Sequence, residues 1–133
     1  MTIFEKLRTK AILLLDPDPW TRDSLSLLLA WSNCRLASLE TVEEGRRAIE
    51  STPFDLVICA HRVPGLDGLA FLELCRKIRP EATRILMGPC PELQFAEDAK
   101  RIRIHGWLPK PLTIESLEKA LSEALSASRL PPA

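Results

Sequence analysis

The sequence is poor in the features that would mark a covalent staple, a charged partner or a membrane. Its four cysteines, Cys34, Cys59, Cys75 and Cys90, stand far apart in 133 residues, and no CxxC pair occurs. They read as small apolar core residues of a reducing compartment, not as a disulfide or zinc framework. Neither sign of charge is in excess, since 18 Lys and Arg balance 18 Asp and Glu. A neutral balance leaves no electrostatic footprint for nucleic acid or an anionic membrane, and neither is expected as a partner. No apolar run approaches the roughly 18 residues that span a bilayer. The opening MTIFEKLRTK has no signal-peptide core, so a cytoplasmic location is expected.

What remains is an ordinary globular composition, 46% hydrophobic and 27% charged, long enough to bury a core in one domain. Residues 1–9 read as a lead-in, 10–127 as the domain, and 128–133 as a tail or the start of a linker. Lys10 to Asp16 is an apolar run ending in an acid, the pattern of a strand buried on both faces. Asp18 and Pro19 then open a helix to about Ser32, with Leu25, Leu28 and Leu29 facing inward. A second strand covers 34–39. Thr41 and Glu44 form a capping box for a second helix, which Ser51-Thr52-Pro53 breaks.

The third strand, Asp55 to Ala60, empties into a loop holding Pro64, Gly65, Asp67 and Gly68. A helix from about Gly68 to Ile78 follows, its inward face read as Phe71, Leu74, Cys75 and Ile78. Thr83 to Gly88 is a fourth strand, Pro91 to about Ile102 a fourth helix, and Ile104 to Pro109 a fifth strand. Thr113 caps a last helix with the stripe Ile114, Leu117, Leu121 and Leu125. Alternation of this kind specifies an α/β, flavodoxin-like (βα)5 doubly wound parallel sheet of order 2-1-3-4-5. Its crevice lies at the carboxyl ends of the strands, where Asp16, Pro17, Ala60, Gly88 and Lys110 should converge.

Two motifs within this pattern carry a family resemblance. The stretch DLVICAHRVPGLDG resembles the strand and loop DLVLLDxxMPxMDG, and GWLPKPL resembles YxxKPF. At their separation they are similar to the receiver domain of bacterial two-component response regulators, and the likeness runs from about Lys10 to Leu125. The resemblance implies a signalling domain that takes a phosphoryl group from a histidine kinase onto an aspartate. An acidic pair would hold Mg²⁺, and a hydroxyl and a lysine would hold the phosphoryl oxygens. Mapped residue by residue, the acceptor position falls on Ala60, the acidic pair on Asp16 and Pro17, and the hydroxyl position on Gly88. Lys110, followed by Pro111, is kept, and Trp107 stands where the family places a rotating aromatic.

Phosphoryl transfer to aspartate needs a carboxylate nucleophile, a cation and donors aimed at the equatorial oxygens. Ala60 removes the nucleophile, and Asp16 alone should hold Mg²⁺ weakly or not at all. The expectation is therefore a pseudo-receiver that is no enzyme, takes no cofactor and acts as a phosphorylation-independent interaction module in phosphorelay signalling. Without a phosphate, Lys110 should pair with Asp16 across the crevice. The alternatives are an anion or small-molecule sensor built around Lys110, or the receiver part of a longer regulator.

Other readings of nearby residues are plainer. Asp67 belongs to the turn and Gly68 supplies backbone freedom. His61 and His105 read as structural, and Cys59, His61 and Cys90 lack metal-ligand spacing. A flavin phosphate loop is disfavoured by Asp16-Pro17-Asp18-Pro19, which offers two residues without N–H donors and two acids. Lys100, Arg101 and Arg103 with Trp107 form a candidate face for a protein partner, including a second copy. The competing reading of that cluster is a solvated helix end. Trp20, Leu27 and Trp31 could form a second stripe on the first helix, but half-buried covers for the core are the favoured reading of the two tryptophans.

Overall fold

The computed structural model describes residues 2–63, 66–88 and 96–128. Five strands, β1 (Ala11–Leu15), β2 (Arg35–Leu39), β3 (Leu56–Ala60), β4 (Thr83–Gly88) and β5 (Gly106–Pro109), form one sheet. Their spatial order is β2-β1-β3-β4-β5 and every pairing is parallel, with Leu13 opposite Ala37 and Val57. The order is the 2-1-3-4-5 that the alternation specified. Between and after the strands run α1 (Pro19–Ala30), α2 (Val42–Ser51), α3 (Gly68–Ile78), α4 (Ala96–Ile102) and α5 (Ile114–Ser128).

Every residue of β1, β3 and β4 is buried, whereas the edge strands β2 and β5 are partly exposed. Strands covered on both faces have no polar side to offer water, and their unbroken apolar runs follow from that. The chain reverses direction after α1, so α2 and the helices after it cover the opposite face before α5 returns. Gly45 of α2 sits so close to α3 that a Cβ there would stand 2.8 Å from the Phe71 ring.

Local signals placed most helix ends correctly. Asp18 accepts from the Trp20 amide at 3.1 Å, Thr41 and Glu44 close their capping box, and Asp67 caps α3 by accepting from Ala70 N at 2.7 Å. The Thr113 hydroxyl accepts from the Ser116 amide at 3.0 Å.

Several expectations need correction. The first helix ends at Ala30, not Ser32. In α3 the buried face is Gly68, Phe71, Leu72 and Cys75, with Leu74 and Ile78 only half-buried. In α5, Leu117, Ala120, Leu121 and Ala124 are buried while Ile114 is 52% exposed. The lead-in is folded: Ile3–Lys6 is a helical turn with a Thr2–Glu5 capping box, and Leu7 is buried in the core. The loop after β3 contains a two-residue antiparallel hairpin, Arg62–Val63 with Leu66–Asp67. The expected start of the fourth helix at Pro91 lies outside the described residues, as do Pro64, Gly65 and Cys90.

Candidate functional site at the strand exits

The residues expected to converge do so. Asp16, Pro17, Ala60, Gly88 and Lys110 line one cavity of about 420 Å³, together with Asp18, His61, Arg62 and Met87. Each arrives at a strand's carboxyl end because parallel pairing puts all the exits on one side of the sheet.

Asp16 is the most constrained member, a carboxylate almost wholly buried. Its Oδ1 accepts from Asp18 N at 2.9 Å, and its Oδ2 lies 2.7 Å from the Lys110 ammonium. The ion pair expected from sequence is therefore present, and among the described residues no other polar group satisfies Oδ2. Its main-chain carbonyl accepts from the Arg22 guanidinium at 2.7 Å, and Arg22 also reaches Glu40 at 3.8 Å. Lys110 is fixed in turn by its amide, which donates to Gly88 O at 3.1 Å, and its bond to Pro111 is cis. Asp18 is committed elsewhere. The Thr21 hydroxyl donates to it at 2.9 Å and, with the Trp20 amide and the Lys110 and Arg22 charges, holds its carboxyl below the usual range.

The other exits carry no ionisable side chain. Ala60 ends β3 with a buried methyl group. A Cβ on Gly68 would coincide with the Ala60 carbonyl oxygen, so only glycine lets α3 start this close to β3. His61 follows, its amide bonded to Met87 O at 2.7 Å. Its side chain lies over Gly88, where a new Cβ would stand 3.1 Å from His61 Cβ and 3.6 Å from the Trp107 ring. His61 thus fills the space that a side chain at 88 would use.

For a divalent cation the donor set fits poorly. Mg²⁺ wants several oxygens in octahedral array. The one buried carboxylate here already faces an ammonium and an amide donor. Cys59 points away into the core, where burial raises its thiol well above the ordinary range, and burial pushes Cys75 up to about 12. Among the described residues no cluster of His, Cys, Asp and Glu has the makings of a metal site.

The candidate partner face is only partly assembled. Lys100, Arg101 and Arg103 are exposed around the end of α4, whereas Trp107 is half-buried and turned toward Gly88 and His61. Arg101 lies near enough to Glu73 for its charge to lower that carboxyl, behind the larger effect of Arg76.

Arg84 was missed by the sequence reading. Only 2% exposed, it donates to the carbonyls of Ala82 at 2.9 Å, Pro80 at 3.2 Å and Arg103 at 3.0 Å. Its amide donates to His105 Nδ1 at 2.9 Å. These bonds close β4 against the left-handed turn at Arg103, φ 59°, and start β5 at Gly106, not at Ile104. The available signal was one charge inside the apolar run 83–88. His105 is held neutral, its imidazole pushed down to about 4 by burial and, to a smaller extent, by the Arg84 charge.

Comparison with known proteins follows this geometry. The model of the response regulator receiver domain matches residues 12–122. The chain is 33% identical over 126 residues to the transcriptional activator protein PfeR of Pseudomonas aeruginosa, covering 90% of this chain and 39% of that protein. It is 32% identical to the positive alginate biosynthesis regulatory protein of the same organism, covering 90% and 48%. It is 27% identical to the transcriptional regulatory protein GlrR of Escherichia coli, covering 88% and 26%. The chain thus spans a quarter to a half of these relatives. Among solved structures, the signal receiver domain of an HD domain-containing protein from Pseudomonas fluorescens superposes with a TM-score of 0.81 at 29% identity, covering 92% and 95%. A CheY-like receiver domain from Methanospirillum hungatei gives 0.80 at 24% identity, covering 90% and 95%, and supports the fold alone.

Proposed function

We propose, from the premise that this chain belongs to the response regulator receiver domain family, that it signals by contact without phosphoryl transfer at its crevice. The single observation that carries this reading is the side chain at the end of β3, the buried methyl group of Ala60. A methyl group offers no lone pair to a phosphorus atom, and no described carboxylate in the cavity stands free to replace it. Asp16 is paired with Lys110, and Asp18 caps α1. The same pairing argues for weak Mg²⁺ binding, because a cation would have to displace the Lys110 ammonium from a buried carboxylate.

It also counts against an anion sensor, since the lysine that would bind the anion is already neutralised. Transmission by the usual route would need a hydroxyl at position 88, and His61 lies over that glycine. Receiver domains work through protein partners, and here the face around Lys100, Arg101 and Arg103 is the proposed docking surface, with Trp107 at its margin. The longer relatives make a role within a larger regulator part of this proposal.

The test is tryptophan fluorescence during titration with Mg²⁺ and beryllofluoride, which mimics the acyl phosphate. Trp107 lies close to Gly88 and reports on the crevice. No saturable change is expected; a saturable change that requires both ions overturns the reading.

A further inference from the structure

The first helix carries a feature that the crevice does not explain. Trp20 is 80% exposed, Leu27 72% and Trp31 88%, and Trp31 still has helical backbone angles as the cap of α1. With the half-buried Ser24 these residues are spaced four, three and four, the repeat with which one helix meets another along a narrow seam. The seam is about 16 Å long at 1.5 Å per residue. Its three large side chains expose roughly 500 Å² per copy, taking 150–250 Å² for a whole aromatic side chain. That is as large as the biggest apolar patch on a typical monomer, which runs about 300–600 Å².

We propose that this seam pairs with the same seam of a second copy, antiparallel about a two-fold axis. Three observations select that occupant. The first is symmetry: the pairs 20/31 and 24/27 share one midpoint. A two-fold placed there sets Trp20 against Trp31 of the other copy and Leu27 against Ser24, bulk against space. An isologous interface requires each contact to occur twice in this way. Space is also present in the surface, because Ser24 and Trp20 border an open cavity of about 430 Å³ with Pro111 and Leu112.

The second observation is area. Two seams together bury about 1,000 Å², the lower bound for a specific interface. The third is charge. The chain is formally neutral, so two copies approach without net repulsion. Within α1 the only charged residues are Arg22 and Asp23, and Arg22 is turned back to Asp16 and Glu40. The charged residues that border the same cavity, Asp18 and Lys110, are already engaged by Thr21 and Asp16, so a partner of strong charge would find little to pair with here. The interface uses neither Ala60 nor Gly88 nor the basic face, so it stands or falls separately from the proposed function.

The experiment is sedimentation velocity of the whole chain from micromolar to millimolar concentration, with tryptophan emission read in parallel. A concentration-dependent dimer is expected, with emission moving to the blue as two of the three tryptophans leave water. Leu27→Glu, beside the two-fold, or Trp31→Glu, which removes an aromatic anchor at the seam's end, should each weaken association by roughly 30-fold or more. Both residues are exposed, and unchanged circular dichroism would show that the variants fold. Ser24→Lys and Leu27→Glu chains should each pair poorly with themselves, yet form a mixed dimer in which the new charges face each other. A wild-type chain that stays monomeric throughout, a dimer indifferent to both Glu substitutions, or a mixture that fails to pair would each overturn the proposal.

Discussion

The two sides of the crevice are built differently. At the exits of β1 and β5 the chain keeps charge, Asp16 and Lys110 at 2.7 Å, but spends it internally. At the exits of β3 and β4 the strand-end residues Ala60 and Gly88 carry no charge, and His61 and Trp107 close over the backbone at Gly88. One side is held by electrostatics in a partly dry setting, the other by packing. The contrast separates a wall fixed by a buried carboxylate and its counter-charge from a wall fixed by shape. An unpaired Asp16 carboxylate would be costly to bury, so Lys110 stabilises the fold through this pair.

The largest effect should come from breaking the charged side. Lys110→Met leaves a buried carboxylate without its partner and is expected to cost about 2–4 kcal/mol. Adding Asp16→Asn should recover a good part of that, because the neutral amide needs no counter-charge. Urea denaturation of the two variants measures the difference, and equal losses would show that the pair does not act as a pair.

A second effect lies at the opposite end of the sheet and serves as a reference for pH. His105 takes up a proton near 6.5 when unfolded, but only at about 4 when folded. Its contribution is therefore complete above about 6.5 and is lost as pH falls toward about 4. The melting temperature should drop by several degrees from neutral pH to pH 4.5 or so, and His105→Gln should flatten that slope. An unchanged slope in the variant would place the acid sensitivity elsewhere.

The packed side should answer more gently. Gly88→Thr pushes a Cβ to 3.1 Å from His61 Cβ and is expected to cost about 1 kcal/mol, and His61→Gly in the same chain, which removes that Cβ, should relieve it. Smallest of all, reversing Lys100, Arg101 and Arg103 to Glu should shift stability by no more than about 0.5 kcal/mol. If that face docks a protein, the same change should abolish capture of the partner.

Much of the scaffold could be read from residue order because buried strands and caps announce themselves locally. AILLL and LVICA have nowhere to lie but a two-sided core, and Asp18, Thr41 and Thr113 each cap the helix they precede, whereas Asp67, read as a turn residue, also caps α3. The site residues could be placed because parallel strands deliver their ends to one edge.

What could not be read depended on the third dimension. Leu72 is more deeply buried than Leu74 because of how α3 leans on its neighbours, and periodicity alone allowed either. Ile114 falls in the first turn of α5, beyond the part of the stripe that packs. Arg84 is buried because three carbonyls converge on it, two from the adjoining Pro80 and Ala82 and the third from Arg103, beyond the end of α4. Trp20 and Trp31 were expected to cover the core, yet Thr21, Leu25 and Leu29 fill that face of α1 and leave the tryptophans in water. Apolar character alone did not say which of these side chains face the core and which face water.

The most direct test of the central claim is intact-mass measurement after incubation with acetyl phosphate and Mg²⁺. The account predicts an unchanged mass. A gain of one phosphoryl group, stable to acid and removed by hydroxylamine, would contradict it.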